Sequence, residues 1–365
     1  MLERSASEDQ IARLRLIRSD NIGPVTYFQL LARFGSAGAA LDAIPDLAAR
    51  GGGRAPKLVA RGLVEREMEA VAALGARYLF LGQGLYPPLL AELETAPPAL
   101  IVKGHLSLLE KPAIAMVGAR NASAAACRFA RQLARQVGEA GAVIVSGLAR
   151  GIDTAAHDGA LESGTIAIIA GGIDVAYPPE NADRQQAITE RGLLIAEQPP
   201  GVEPRARHFP YRNRIIAGLA HGTVVIEAAP KSGSLITARY ATEFGRDVMA
   251  VPGSPLDPRA QGCNQLIREG ATLIQNAEDV LETIRPFALR PLAQKGLDYR
   301  APAASPDTSE AERRIVADLL SPTPVSVDEI IRQSGLPPAA VQTVLLELEL
   351  AGRLERHAGG RVSLV

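Results

Sequence analysis

Ile114-Ala-Met-Val-Gly-Ala-Arg120 and Val143-Ile-Val-Ser-Gly-Leu-Ala-Arg-Gly-Ile-Asp153 are the stretches on which the fold turns. Each is a short apolar run, without polar alternation, that ends in glycine. Such runs suit strands buried on both faces, as in parallel sheets covered by helices on both sides. The pattern repeats outward at Thr165–Ala170, Leu193–Ala196, Thr223–Ile226, Val248–Val251 and Ala271–Ile274. Amphipathic, helix-length segments separate them. This rhythm predicts an α/β domain over 76–285, a Rossmann-like, mostly parallel sheet with helices on both faces.

Open sheets of this kind bind ligands outside the carboxyl ends of their strands. The residues there are Gly118 and Arg120, then Ser146, Gly147 and Arg150, then Gly171 and Gly172, and finally Lys231, Ser232, Gly233 and Ser234. Glycine and serine let backbone N–H groups approach an anion at a helix start, and the three cations supply countercharge. The densest basic stretch is Arg205–Arg214, with four arginines, His208, Phe209, Tyr211 and no acid. It suits phosphates and bases, with Arg212, Asn213 and Arg214 as candidate contacts. The competing reading makes these loops compact turns and turns Arg212 or Arg214 inward, toward Glu197 or Glu227.

Several chemistries fail on spacing. Gly118-Ala-Arg-Asn-Ala-Ser123 lacks the second and third glycines of a dinucleotide fingerprint, and no P-loop pattern occurs. Asp153 and His157 share a helix spacing but have no third metal ligand, so a helix-capping Asp153 and a packed His157 are expected instead. Glu197 and Glu227 end strands as candidate hydrolytic carboxylates. Ser146, Ser232 and Ser234 lack a nucleophile elbow or an adjacent histidine. No catalytic residue and no cofactor is therefore assigned.

The chain has 365 residues with 39 Lys+Arg against 40 Asp+Glu, so nucleic-acid binding has to come from a local patch. Aromatics are 4% and Trp is absent, which predicts few stacking platforms. Cys127 and Cys263 form no zinc or redox motif. With no signal-like start and no membrane-length apolar run, a cytoplasmic protein is expected.

Two small domains are expected to flank the sheet. Residues 1–75 read as helical, with Ile11, Leu14 and Ile17 on one face. Pro24 opens a second helix striped by Val25, Phe28 and Leu31. The turn at Ser19–Pro24 gives this domain a SAM or helix-hairpin-helix character. Residues 286–308, punctuated by prolines, read as a linker. Residues 309–365 outline a winged helix, with helices over Glu310–Leu320, Asp328–Ser334 and Pro338–Leu350 and a wing from Arg353 to Leu364. Its recognition helix carries Glu347 and Glu349 and no Lys or Arg, which favours a protein contact over duplex reading.

Taken in order, seven motifs carry a resemblance. They are Met116–Arg120, Ser146–Asp153 with Ala156-His157, Gly171-Gly172 with Tyr177-Pro178, Phe209–Gly218, Lys231–Thr237, Val251-Pro-Gly253, and Gly262–Ile267 with Glu269-Gly-Ala271. Over about residues 76–275 the chain resembles the DprA/Smf family. The resemblance implies a non-enzymatic homodimer that binds single-stranded DNA during natural transformation, protects it and helps load the RecA recombinase. Arg120 and Lys231 would grip phosphates, the Arg212–Arg214 region would border the same pocket, and Leu266 and Ile267 would lie at the dimer contact. Ala119 departs from the family's usual Thr or Ser. Two other classes stay open: an enzyme that binds or hydrolyses small nucleotides through Asp153, Glu227 and Ser232–Ser234, and an adaptor that docks through the winged helix.

Overall fold

The computed structural model describes residues 2–288, 308–357 and 359–365. The N-terminal helices are α1 (Leu2–Arg18), α2 (Pro24–Phe34), α3 (Ala37–Arg50) and α4 (Arg61–Ala73). The sheet region begins with β1 (Arg77–Phe80), α5 (Pro88–Ala91), β2 (Ala99–Gly104), β3 (Ala113–Gly118), α6 (Ala124–Glu139), β4 (Val143–Ser146), α7 (Ile152–Ala160) and β5 (Thr165–Ile169). It continues with α8 (Ala182–Arg191), β6 (Leu193–Ala196), α9 (His208–Leu219), β7 (Gly222–Ile226), α10 (Gly233–Glu243), β8 (Asp247–Ala250), α11 (Gln261–Arg268), β9 (Thr272–Leu273) and α12 (Ala277–Ala288). The C-terminal elements are α13 (Glu310–Asp318), β10 (Val325–Ser326), α14 (Val327–Ser334), α15 (Pro338–Leu350), β11 (Leu354–His357) and β12 (Arg361–Leu364). They form two compact units. One joins the N-terminal helices, through Arg66, to the C-terminal elements; the other starts at Glu67 and holds the large sheet.

The nine-stranded sheet has the order β1-β2-β6-β5-β4-β3-β7-β8-β9. All pairs from β6 to β9 are parallel. Alternate residues of β3 explain why its run is uniformly apolar. Ala115 and Val117 join the core that includes Ile215, Ile216 and Leu219 of α9, while Ile114 and Met116 join the core built with Leu133 and Val137 of α6. Full burial of side chains like these stabilises by roughly 1.5–3 kcal/mol each. Strands β1 and β2 escape the sequence reading. They add antiparallel to one edge, and the four-residue β1, half polar, lacks the doubly buried pattern.

Chain order reverses between β3 and β7, so the loops after β3, β4 and β5 gather on one side of that switch. Helix α6 starts there under two caps. Ser123 Oγ accepts from Ala126 N (3.0 Å), and Glu227 Oε2 accepts from Ser123 N (2.8 Å).

In the other unit, α2 turns differently from its sequence stripe. Thr26, Tyr27 and Leu30 are the residues fully buried, the last two in one core with Leu41 and Ile44 of α3, with Phe28 and Leu31 at the margin. The winged helix is a three-stranded sheet, β10-β12-β11, on three helices. Its helix α15 is buried on two sides. Val341, Val344, Leu345 and Leu348 face the winged-helix core, while Leu346 and Leu350 enter the N-terminal core beside Tyr27, Leu30 and Ile44. Gln29 Nε2 donates to Gln342 Oε1 (2.9 Å) and Arg353 Nη1 to the Gly51 carbonyl (3.1 Å). A Cβ on Gly51 would stand 2.1 Å from the Glu347 carbonyl oxygen. One side of this helix, along Leu346 and Leu350, is thus filled by the chain's own N-terminal helices. Glu347 points inward to Arg313 (2.8 Å). The linker expected over 286–308 lies outside the described residues from 289 to 307, and Pro286 belongs to α12.

Candidate nucleic-acid interface

The loops after β3, β4 and β5 and the start of α9 enclose a cavity of about 240 Å³. Its lining includes Arg120, Gly147, Arg150, Gly171, Tyr177, Phe209 and Arg212. Five of the sequence candidates therefore meet here. The Arg120 guanidinium lies 5.1 Å from the centroid of the Phe209 ring, within cation–π range. Tyr177 and Phe209 have ring centroids 5.7 Å apart. The scarcity of aromatics had predicted poor stacking. Yet two of the few converge beside two arginines, because the Gly171–Pro179 loop folds back against the first turn of α9.

The remaining candidates separate. Ser146 is fully buried and its Oγ donates to the Met116 carbonyl (2.6 Å), which ties β4 to β3 instead of facing the cavity. Gly118 is required by packing, since a Cβ there would meet the Ile226 carbonyl oxygen at 1.9 Å. Gly172 N already donates to the Val202 carbonyl (2.8 Å). The basic stretch divides: Arg205 and Arg207 are exposed, whereas Arg212 and Arg214 are buried. Arg214 Nη2 donates to Glu197 Oε1 at 2.5 Å, which is the inward pairing and not the DNA contact of the two sequence readings.

Arg212 borders the cavity from inside. Its Nη1 donates to the Ile168 carbonyl (2.6 Å), and a Cβ on Gly147 would stand 1.8 Å from that atom. Burial pulls its guanidinium down to about 10 even though Asp153 favours the charged form. Burial likewise raises the Asp153 carboxyl, opposed by Arg212 and by backbone donors. Asp153 does not cap α7, as the sequence suggested. Its Oδ2 accepts from Gly147 N (3.2 Å) and Ala149 N (3.3 Å), so it closes the preceding loop. Those two N–H groups are consequently engaged internally, so the cavity's anion-binding character rests on its arginines, of which Arg150 also lies 3.7 Å from Glu180 in the same lining, while the rings offer stacking faces.

Lys231, Ser232, Gly233 and Ser234 stand across the switch, after β7, and outside the cavity lining. Ser232 caps α10, and its Oγ lies 2.8 Å from Ser234 Oγ. Asn213 Nδ2 donates to the Gly233 carbonyl (3.2 Å) and so links α9 to this loop. Leu266 and Ile267 are half-buried on α11 against the core. His157 Nδ1 is 2.8 Å from Thr165 Oγ1, and burial holds the imidazole down to about 3. Among the described residues no cluster of His, Cys, Asp and Glu has the makings of a metal site. The two candidate hydrolytic carboxylates do not meet, because Glu197 pairs with Arg214 and Glu227 caps α6.

Comparison with known proteins agrees with this architecture. The family model for DNA recombination-mediator protein A matches residues 77–285. The chain belongs to the DprA/Smf family. Companion models match on either side: a DprA-like N-terminal HHH domain at residues 7–70 and a DprA winged helix domain at 300–360. DNA processing protein DprA of Streptococcus pneumoniae is 49% identical over 198 residues, covering 54% of this chain and 70% of that protein. Protein Smf of Escherichia coli is 39% identical over 290 residues, covering 76% and 75%. A solved structure of DNA processing protein A from Helicobacter pylori, described for its single-stranded DNA binding mode, superposes with a TM-score of 0.53. It is 29% identical and covers 58% of this chain and 96% of that one. As in the sequence reading, no helix among the described residues is long and apolar enough to cross a membrane.

Proposed function

We propose that this DprA/Smf family member binds single-stranded DNA at the cavity formed by Arg120, Arg150, Tyr177 and Phe209. The observation that carries the reading is the convergence of two exposed-side guanidinium groups and two aromatic rings on one cavity at the carboxyl edge of the sheet. Cations hold phosphates without regard to sequence, and rings stack on any base. Duplex DNA hides its bases from such rings, so the site favours single strands. Asn213, Lys231 and the Ser232–Ser234 loop would continue the phosphate track on the other side of the switch.

In the same reading the chain is a non-enzymatic mediator in the cytoplasm. It protects an incoming strand in natural transformation and helps load the RecA recombinase, working as a homodimer. Half-buried Leu266 and Ile267 on α11, next to edge strand β9 with its exposed Leu273, support the dimer contact. A dimer would hold one strand at two sites and raise avidity.

The test is binding of labelled single- and double-stranded oligonucleotides over a salt series, for wild type, Arg120→Ala and Lys231→Ala. Preference for single strands, with a steep salt slope that flattens in Arg120→Ala, is expected. Equal binding of both variants and wild type would refute the site.

A further inference from the structure

The loop from Gly147 to Gly151 shapes one wall of the cavity, yet little in its own backbone favours that shape. Leu148 sits at φ 55, in the left-handed region that non-glycine residues avoid. Its side chain is fully buried beside Val71, Ile169 and Ile173, so glycine would relieve the backbone only by giving up that anchor. Something else must hold the loop.

Beside the backbone bond from Thr154 N to the Ala149 carbonyl (3.1 Å), three side chains do. Asp153 Oδ2 accepts from Gly147 N and Ala149 N. Thr154 Oγ1 donates to the Ala149 carbonyl at 2.7 Å. Asn181 Nδ2 donates to the Leu148 carbonyl at 2.9 Å and lies 3.1 Å from Thr154 Oγ1. Asn181 is 3% exposed and comes from a distant part of the chain. It occupies the N-cap position of α8, where asparagine ordinarily bonds a helix N–H, but it makes no such bond. Its amide is turned to the loop instead. With these groups satisfied inward, Gly147, Ala149 and Arg150 line the cavity. Gly151, at φ 75, packs so tightly on Ala119 and Arg120 that a Cβ would stand 2.2 Å from the Ala119 carbonyl oxygen. The loop's shape is therefore passed on to both guanidinium-bearing segments.

We propose that Asp153, Thr154 and Asn181 brace the Gly147–Gly151 loop and that Asn181 is a positioning residue for DNA binding, touching no DNA itself. This rests on the cavity being the single-strand site. Removing a brace bond lets the loop leave its left-handed turn, and the arginines lose their preset spacing while their number is unchanged. The brace variants should therefore bind more weakly at every salt concentration, with an unaltered salt slope. Loss of a cation that meets phosphate lowers the slope itself.

The experiment measures binding of a labelled oligothymidylate to the full chain across a salt series. The variants are Asn181→Ala, Thr154→Val, Thr154→Ser and Arg120→Ala, with thermal melting as the folding control. Asn181→Ala removes the donor to the Leu148 carbonyl without adding a charge, and it loses no helix cap because Asn181 makes none. Thr154→Val removes the hydroxyl and Thr154→Ser restores it. Asn181→Ala and Thr154→Val should each bind about tenfold more weakly, the scale of one buried hydrogen bond, on lines parallel to wild type. Thr154→Ser should match wild type, and Arg120→Ala should bind weakly on a flatter line. If Asn181→Ala does not fold, the two Thr154 variants decide the matter. Wild-type binding by folded Asn181→Ala or by Thr154→Val, while Arg120→Ala binds weakly, overturns the brace. So does a loss in Thr154→Ser equal to that in Thr154→Val. Normal binding by Arg120→Ala overturns the site reading, and the brace with it.

Discussion

Arg214 was a candidate phosphate contact and is instead one half of a buried ion pair, which makes a quantitative prediction possible. Its side chain is 5% exposed, that of Glu197 is 18%, and the pair closes at 2.5 Å. Arg214 Nη1 has no hydrogen-bond partner. Glu197→Ala leaves the guanidinium buried with its main countercharge gone, a change that costs about 3–5 kcal/mol; the partial exposure of Glu197 argues for the lower end, about 3. With a urea m-value of about 3 kcal/mol/M for a unit this large, the midpoint should fall by about 1 M. Replacing both partners, Arg214→Met with Glu197→Leu, removes the charge and the unbonded nitrogen together. That double variant should stay within about 1 kcal/mol of wild type, because desolvation offsets most of what such a pair contributes. It should also keep single-strand affinity and salt slope. Urea unfolding followed by circular dichroism, with DNA binding on the same samples, provides the check. A Glu197→Ala midpoint shift below about 0.3 M, or a double variant as unstable as the single one, would refute the energetic argument. A flattened salt slope in the double variant would return Arg214 to the phosphate track.

Other consequences follow from the same geometry. Phe209→Ala should weaken single-strand binding by about 1–3 kcal/mol with little change in salt slope, since it removes a stacking surface and no charge; undiminished affinity would take the ring out of the site. Ser146→Ala should destabilise the sheet by about 1 kcal/mol through the lost bond to the Met116 carbonyl and leave DNA binding intact, which melting and binding measured together will decide. His157 is neutral when folded, its imidazole held down to about 3, while the unfolded chain takes up a proton near 6.5. Its contribution is therefore complete above about pH 6.5 and is lost toward pH 3 at about 1.4 kcal/mol per unit, so His157→Gln should show a flatter fall in urea midpoint with acid than wild type. Leu350→Ala should cost about 2–5 kcal/mol and raise hydrogen exchange in α2 and α3 while the nine-stranded sheet stays protected; unchanged exchange there would deny the shared core.

The sequence alone determined the seven parallel strands and the rim at their carboxyl ends: the central β3 to β7 are buried on both faces and so must be apolar throughout, and β8 and the exposed β9 were legible as shorter apolar runs continuing the same spacing. It also outlined the winged helix, whose helices and wing carry local signals. It did not reveal β1, a four-residue edge strand that is half polar, or β2, whose run Ala99–Val102 is as apolar and buried as the strands that were read but which pairs antiparallel, outside the alternation of parallel strands and helices. Nor did it tell which rim residues meet. Arg120 and Arg150 line the cavity from its exposed side and Arg212 from its buried side, Arg214 of the same basic stretch turns inward to Glu197, and Lys231 stands across the switch. Arginine is compatible with water, with phosphate and with a buried carboxylate, so its type does not say which of these it meets. The same holds for Tyr177 and Phe209, which lie far apart in the chain, and for Leu346 and Leu350, which complete a core begun by the N-terminal helices. Periodicity is local and is written into consecutive residues. Which buried partner a polar or apolar side chain finds depends on contacts between distant segments, and only the tertiary structure decides those.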